Sequence, residues 1–195
     1  MSPPRGFRSK SLSRYSRAHV FFGGIAFGVV LATAASSVGL RFNLTSSLPI
    51  GLYRVTRDSP TLERGAIVLY CPPLPAARLA QDRGYVPRGG RCPGGLTPIG
   101  KIVVALPGDT VALTSAGITV NGGLQLHSRP LISDRSGKRL PQLAGGSDIV
   151  RPGYTWLLAP SDRSFDSRYL GQLRATNIVA RIRPFWTLGE SRLDP

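Results

Sequence analysis

Lys101-Ile102-Val103-Val104-Ala105-Leu106-Pro107-Gly108-Asp109 is the most informative segment of this 195-residue chain. The β-branched and apolar residues after the lysine predict a strand, and the Pro-Gly pair predicts a tight turn at its end. A lysine among apolar neighbours is a candidate base, because burial disfavours its charged form. Lys101 is one of only three lysines among 25 basic residues, and an arginine in its place could not release a proton. A strand-edge lysine whose ammonium reaches solvent is the alternative interpretation.

Short β-rich runs separated by glycine and proline continue on both sides of this segment, which predicts one small, mainly β domain. The Asn121-Gly122 pair between two of the runs predicts a hairpin turn. An insertion at 72–98, with a short helix at 76–82, and a polar loop at 134–148 interrupt the pattern. The predicted strands are Leu52–Thr56, Ala66–Tyr70, Lys101–Ala105, Thr110–Leu113, Ile118–Val120, Leu124–His127, Thr155–Ala159 and Ile178–Ile182.

The stretch Ala18–Leu40 contains no Asp, Glu, Lys or Arg, and it is long enough to cross a bilayer as a transmembrane helix. Residues 1–17 are basic and contain no acidic residue, so this tail is predicted to stay in the cytoplasm and residues 41–195 to form an extracytoplasmic domain. A cleavable secretory signal resembles the same pattern, with Ala32-Thr33-Ala34 as its cleavage site. We expect a retained anchor, because the apolar stretch is longer than the usual core of a signal peptide.

The formal net charge is +15 and the isoelectric point is about 11.3. Such values are common in nucleic-acid-binding proteins. Here the arginines outside the tail are spread among apolar segments, with neither a basic helix nor a basic, aromatic-rich strand of the kind that binds RNA. We therefore predict no specific nucleic-acid partner, and we expect the excess positive charge to favour contact with anionic membrane lipid.

Cys71 and Cys92 are the only cysteines, and they flank the Pro/Gly/Arg-rich insertion. Two cysteines alone are too few for a structural metal site, and no Cys-x-x-Cys pair is present to act as a redox centre. Because the domain is predicted to lie outside the cytoplasm, we expect a disulfide between them, with two buried free thiols as the alternative. No His/Cys/Glu cluster has the spacing of a metal site, so neither a metal nor another cofactor is predicted.

Ser47 ends the sequence Asn-Leu-Thr-Ser-Ser and lies a few residues beyond the apolar stretch, which places a candidate nucleophile near a membrane surface. A serine hydroxyl needs a base to remove its proton, and a lysine can be that base when burial lowers its pKa. A Ser/His/Asp triad of Ser47, His127 and Asp166 is the competing hypothesis. His127 has no motif around it, so the pair Ser47 and Lys101 is favoured.

Three separated motifs resemble those of the type I (S26) signal peptidases and, within that family, of the TraF-like conjugative-transfer peptidases. Ser47–Tyr53 resembles the nucleophile motif Ser-x-Pro-x-Gly-Leu-Tyr, Lys101–Asp109 resembles the general-base motif, and Ser161–Gly171 resembles the motif Gly-Asn-Ser-x-Asp-Ser-Arg-x-x-Gly. Ala105 departs from the glycine usual in leader peptidases. That departure and the Cys-flanked insertion point to the TraF-like branch.

The resemblance implies a role for each matching residue. Ser47 would be the nucleophile that forms an acyl-enzyme, and Lys101 the general base and later the acid. Ser164 would orient the lysine. Thr45 would bind the oxyanion together with the Ser47 backbone N–H, although a hydroxyl that only stabilises a turn or strand is its alternative role.

Asp166 and Arg168 are better interpreted as structural residues. A carboxylate and a guanidinium in the Asp-Ser-Arg sequence can pair and hold the loop that carries Ser164. Loss of either residue is therefore expected to impair activity indirectly.

The resemblance also implies a signal-peptidase-like, mainly β catalytic domain behind one transmembrane helix. Its substrates would be precursors of exported proteins, such as prepilins or components of a conjugation or type IV secretion apparatus, cut by hydrolysis or joined into a ring by aminolysis. Two other functions remain open: a general housekeeping signal peptidase, and a catalytically silent membrane scaffold of a secretion or conjugation complex.

Overall fold

The structure is a computed structural model that describes residues 19, 21–26, 28, 39–45, 47–56 and 61–188. The predicted basic tail, the Ala32-Thr33-Ala34 site and most of the apolar stretch Ala18–Leu40 lie outside these residues. Residues 19, 21–26 and 28 are helical. In the part of the chain that the structure describes, no helix is both long enough and apolar enough to cross a membrane.

The chain divides into two compact units, residues 1–40 and 41–195, and the predicted mainly β fold is confirmed. Within residues 61–188, which the structure describes without a gap, there are two helices, α1 (Leu74–Asp82) and α2 (Ser167–Leu170), with short 3₁₀ turns at Pro93–Gly95 and Ala175–Asn177. The strands are β1 (Leu40–Asn43), β2 (Gly51–Thr56), β3 (Ile67–Tyr70), β4 (Arg88–Cys92), β5 (Ile99–Ala105), β6 (Thr110–Leu113), β7 (Ile118–Val120), β8 (Gly123–Leu124), β9 (Gly146–Ile149), β10 (Tyr154–Leu158), β11 (Leu173–Arg174) and β12 (Ile178–Thr187).

Eleven of these strands form two sheets. The larger sheet has the strand order β1-β2-β12-β3-β5-β10-β11, and the smaller sheet has the order β8-β7-β6-β9. Every pair whose register is described is antiparallel. Since β5 lies between β3 and β10, the strand that begins near Lys101 is an interior strand of the larger sheet.

The position of Lys101 on β5 follows from strand periodicity. Lys101, Val103 and Ala105 are buried, while the residues between them are only partly buried. Successive side chains of a strand point to opposite faces, so Lys101 shares its face with Val103 and Ala105. In the register with β3, Lys101 is opposite Val68, which is itself fully buried. The lysine side chain therefore begins inside an apolar layer.

The Asn121-Gly122 hairpin turn is confirmed: it joins β7 to β8, and both residues have positive φ angles, 50° and 86°. The predicted strand Leu124–His127 is wrong beyond Leu124. The backbone N–H of Ile118 donates to the Ser128 hydroxyl at 2.9 Å, so a side chain takes the place of a strand partner there. His127 has a φ of 53°, which is incompatible with extended backbone.

The insertion at 72–98 is folded. Its predicted helix begins two residues earlier than expected, as α1, and buries Ala76, Ala77 and Ala80. The expected disulfide between Cys71 and Cys92 is confirmed. These elements pack with Phe165 and Tyr169 in one apolar cluster, so the insertion forms part of the core beside the loop that carries Ser164.

Candidate active site

Lys101 is almost completely enclosed, with 2% of its surface exposed. Its Nζ donates a hydrogen bond of 2.6 Å to Ser164 Oγ and lies 3.5 Å from Ser47 Oγ. The alternative of a lysine that reaches solvent is therefore wrong. The structure brings together Ser47, Lys101 and Ser164, which are far apart in the sequence.

Burial lowers the pKa of Lys101 from 10.5 to about 8. The nearby Asp166 carboxylate favours the ammonium form and opposes this decrease, whereas the Arg168 guanidinium adds to it. Burial dominates because the lysine lies among apolar strand residues, and its hydrogen-bond partners among the described residues are hydroxyl groups. A substantial fraction of this lysine is consequently neutral near pH 8.

Asn43 organises the loop that carries Ser47. Its Nδ2 donates to the backbone carbonyls of Thr45, Leu48 and Pro49 at 3.0, 3.0 and 3.1 Å. Leu48 is buried in an apolar cluster that includes Tyr53, and Tyr53 Oη donates to the Pro49 carbonyl at 2.7 Å. One amide side chain and one buried leucine therefore hold the loop on both sides of the serine.

Thr45 is exposed, and its hydroxyl donates to Asn43 Oδ1 at 2.7 Å. Its backbone N–H also points to Asn43 Oδ1, at 3.3 Å. In this arrangement the Thr45 hydroxyl hydrogen is already engaged. The hydroxyl would have to rotate away from Asn43 to donate to an oxyanion beside Ser47.

Gly51, in the motif that follows Ser47, allows close contact with another strand. A Cβ atom at this position would lie 2.2 Å from the Trp186 carbonyl oxygen and 2.6 Å from the Thr187 Cα. Neither backbone atom can move without disturbing the pairing of β2 with β12. The glycine of the motif is therefore a packing requirement of the sheet below the serine.

Asp166 and Arg168 form an ion pair in which neither side chain has any exposed surface. Arg168 donates from Nε to Asp166 Oδ1 at 2.8 Å and from Nη2 to Asp166 Oδ2 at 2.7 Å. Two parallel hydrogen bonds of this kind fix the orientation of both groups. Asp166 also caps α2 by accepting the backbone N–H of Arg168.

The remaining polar atoms of this pair bind the surrounding backbone. Arg168 donates to the carbonyls of His127 and Ser161 at 2.6 and 2.7 Å, and Asp166 accepts the Ala159 N–H at 3.1 Å. The ion pair therefore holds the loop that leads from β10 to α2, on which Ser164 lies. No charge of the pair is left without a partner, as buried ions require.

The alternative triad is not assembled. His127 is exposed, and its Nδ1 lies 3.1 Å from Asp162 Oδ1. Asp166 is committed to Arg168, and His127 does not line the cavity that contains Ser47. Among the described residues, the hydrogen-bond partner of the Ser47 hydroxyl is Lys101.

A cavity of about 350 Å³ opens beside Ser47 and Lys101. Many of its residues come from the insertion and from the polar loop 134–148, which carry no motif that sequence reasoning recognised. Asn43 was missed too, although an Asn two residues before Thr45 is a typical signal for a side-chain-stabilised turn. The cavity is lined by Thr45, Ser47, Arg83, Gly84, Tyr85, Val86, Ile99, Lys101, Leu131, Ser133, Asp134, Arg135, Ser136, Leu140, Arg163, Ser164, Phe165 and Tyr169.

Comparison with known proteins shows the family of the chain. The family described as signal peptidase, peptidase S26, matches residues 12–186. The chain belongs to this family. The TraF-like resemblance seen in the three motifs is confirmed as well, since relatives with that name align over most of the chain.

Two Escherichia coli proteins named plasmid transfer protein TraF are 40% and 37% identical to this S26 family member, over 180 and 181 residues. The alignments cover 90% and 92% of this chain and 99% of each relative. The conjugal transfer protein TraF of Agrobacterium tumefaciens (strain 15955) is 36% identical over 176 residues, covering 89% of this chain and 98% of the relative.

A solved structure of a signal peptidase I from Enterococcus faecalis V583 is also similar, with 18% identity and a TM-score of 0.36. The match covers 64% of this chain and 98% of that chain.

Proposed function

We propose that this chain is a serine endopeptidase with a Ser47/Lys101 dyad that processes precursors of exported proteins. The observation that carries the proposal is the buried Lys101 Nζ, which contacts both Ser164 Oγ and Ser47 Oγ. A buried lysine without a direct carboxylate partner has little structural use, because the burial of its charge is unfavourable. Membership of the signal peptidase family supports the same conclusion.

The proposed reaction begins with neutral Lys101. With a pKa of about 8, about one lysine in ten is neutral at pH 7, compared with about one in three thousand at an ordinary pKa of 10.5. Neutral Nζ accepts the proton of Ser47 Oγ as that oxygen attacks the scissile carbonyl carbon. Ser164 Oγ, at 2.6 Å, keeps the amine pointed toward Ser47.

The tetrahedral intermediate then collapses. The C–N bond breaks, the leaving amine takes the proton from Lys101, and the acyl group remains on Ser47. We assign stabilisation of the oxyanion to the Ser47 backbone N–H and to the Thr45 hydroxyl after its rotation from Asn43. A water molecule, or an amine of the same substrate chain, attacks the ester and returns Ser47 to its starting state with Lys101 again as the base.

The relatives named for plasmid and conjugal transfer support conjugation as the setting. We propose prepilins or other precursors of a transfer apparatus as substrates, in a reaction that needs neither metal nor cofactor. A general signal peptidase is the second candidate, supported by the family match alone.

We further propose that the catalytic domain works at the outer surface of the cytoplasmic membrane, anchored by Ala18–Leu40 with the N-terminus in the cytoplasm. Apolar side chains around the Ser47 loop support a membrane contact. Phe42, Leu44, Trp186 and Leu188 are all more than half exposed, and Leu188 donates its N–H to the Ile50 carbonyl beside the loop. Exposed aromatic and apolar residues of this kind are typical of membrane interfaces.

The two tryptophans make the membrane contact measurable, because Trp156 is buried and Trp186 is exposed. In vesicles of brominated lipid we expect quenching of the Trp186 fluorescence. The Trp186→Phe variant, which retains Trp156, is the control and should show little quenching. Equal quenching of both proteins would argue against a membrane contact at this surface.

The proposed activity is tested by incubating the full chain, reconstituted in membranes, with candidate prepilins and measuring intact masses. We expect cleavage by the wild type, none by Ser47→Ala, and normal cleavage by Ser133→Ala, which removes another hydroxyl from the same cavity. A hydrolysed and a cyclised product differ by the mass of one water molecule. Unaltered processing by Ser47→Ala would reject the dyad and favour a silent scaffold.

A further inference from the structure

We propose that the cavity beside Ser47 selects peptides that carry a carboxylate close to the scissile bond, and that Arg163 and Arg135 bind this carboxylate. The inference rests on the proposed peptidase function and adds the chemical class of the substrate segment. The evidence is the balance of charged side chains around the cavity. The proposed reaction does not use the arginines among them.

Asp134 is the one acidic residue among those that line the cavity, against Arg83, Arg135, Arg163 and the dyad lysine. The Asp134 carboxylate already has its partners. Tyr85 Oη donates to it, and Arg83 donates to the same oxygen at 3.4 Å. Arg83 therefore offsets the charge of Asp134, and the charges of Arg135 and Arg163 remain.

Arg135 and Arg163 have exposed side chains that make neither a hydrogen bond nor an ion pair with any other described residue. Some arginines of the domain are paired with acids, as in Arg64 with Asp109 and Arg181 with Glu63. Two arginines that line one cavity without an acidic partner therefore provide a candidate site for an anion. A guanidinium binds a carboxylate through two parallel hydrogen bonds.

Both arginines are held on anchored backbone. Arg163 directly precedes Ser164, whose hydroxyl accepts the 2.6 Å hydrogen bond from Lys101, so the two Cα atoms are about 3.8 Å apart. Arg135 follows Asp134 in a turn whose backbone N–H groups at Ser136 and Lys138 donate to Asp134 Oδ1, each at 2.9 Å. The Asp134 contacts with Tyr85 and Arg83 attach this turn to the insertion.

Apolar side chains form part of the remaining cavity wall and increase the effect of these charges. Val86, Leu140 and Phe165 belong to the buried cluster under the cavity. An apolar wall lowers the local dielectric constant, so a carboxylate there interacts with an arginine more strongly than on open surface. Because Arg163 adjoins Ser164, which contacts Lys101 Nζ, the carboxylate should lie within about three residues of the scissile bond, at about 3.3 Å per extended residue.

The test uses a fluorogenic peptide that the reconstituted wild type cleaves, with Glu or Gln placed in turn at each of the three positions on either side of the cut. At one position we expect Glu to raise kcat/KM roughly tenfold over Gln, chiefly through KM. Arg163→Gln and Arg135→Gln should each reduce that preference to roughly threefold or less. Arg78→Gln removes the same charge from an exposed position on α1 and should leave the preference unchanged.

A carboxyl terminus presents the same chemical group as a glutamate side chain, so each peptide is also made with a free and an amidated end. Loss of the preference on amidation would assign the site to a chain end. The absence of any Glu preference, or an equal loss in Arg78→Gln and Arg163→Gln, would overturn the proposal.

Failure of the proposed peptidase function gives a different result, because no peptide would then be cleaved. Binding of the Glu and Gln peptides to Ser47→Ala, measured by fluorescence anisotropy, decides the inference without turnover. Tighter binding of the Glu peptide that depends on Arg163 supports the carboxylate site. Equal affinity for both peptides rejects it.

Discussion

Replacing Lys101 with methionine should raise the free energy of unfolding near neutral pH while abolishing activity. The substitution keeps an unbranched side chain of similar length and removes a buried charge. Burial lowers the lysine pKa from 10.5 to about 8, and each pKa unit corresponds to about 1.4 kcal/mol. The buried ammonium therefore destabilises the folded state by about 3 kcal/mol at pH 7.

The sign of the pH dependence follows from proton binding. Between pH 8 and 10.5 the unfolded lysine is protonated and the folded lysine is largely neutral, so stability rises with pH in that window. Below pH 8 both states are protonated and the full destabilisation is present. In Lys101→Met the Ser164 hydroxyl loses its donor, which lowers the free energy of unfolding by about 1 kcal/mol at every pH. The change in the free energy of unfolding with pH is therefore more diagnostic than its value at a single pH.

The assay is urea denaturation of wild type and Lys101→Met at several pH values from 6 to 10. Relative to Lys101→Met, the wild type should gain roughly 2 to 3 kcal/mol between pH 7 and pH 10. Burial raises the pKa of Tyr70 to about 12, which lowers stability at high pH in both proteins and cancels in the difference. Lys138→Met, at an exposed lysine, is the matched control. Parallel pH curves for wild type and Lys101→Met would refute the reasoning.

Three further predictions concern the dyad, the disulfide and the serine loop. Lys101→Arg should abolish cleavage in the intact-mass assay because arginine keeps its proton, and substantial remaining activity would refute the base assignment. Replacing Cys71 and Cys92 with serine should lower the free energy of unfolding by about 3 kcal/mol, as measured by urea denaturation. A change below about 0.5 kcal/mol would show that the disulfide contributes little. Asn43→Ala should reduce kcat about 100-fold by releasing the Ser47 loop, and Asn43→Asp should be impaired as well, because its carboxylate lacks the Nδ2 donor that binds three backbone carbonyls. Equal kcat values for Asn43→Ala and wild type would contradict its positioning role.

Much of the strand content could be predicted because it depends on local chemistry. β5, β6 and β7 have β-branched residues between clear turn signals, and the Asn121-Gly122 turn has the φ angles that this pair favours. These elements would be recognised in any fold. Their pairing order could not be predicted, since it depends on contacts between residues far apart in the sequence.

The missed elements lack a local pattern. β4 consists of Arg88-Gly-Gly-Arg-Cys92, with no apolar alternation, and its backbone bridges to Leu96. β9 is exposed along its whole length and is formed by pairing with β6. The helix α2 is only four residues long and depends on the buried Asp166 cap. In each case tertiary contacts override a weak local preference.

In the candidate site, the residues with distinctive chemistry could be predicted from the sequence, whereas those that hold or surround them could not. Ser47, Lys101 and Ser164 lie in motifs, and the structure brings them together. Asn43, Tyr85 and Arg163 have side chains that are common in loops. Their significance depends on a cavity that exists only after the insertion folds against the loop before α2.

The rate of precursor cleavage as a function of pH, measured for wild type and His127→Ala, tests the Ser47/Lys101 dyad most directly. The dyad requires neutral Lys101, so the rate should rise with pH through an ionisation near pH 8, as burial of the lysine indicates. The His127→Ala profile should be the same. An activating ionisation near about 6.5 that disappears in His127→Ala would contradict the dyad and assign the base to histidine.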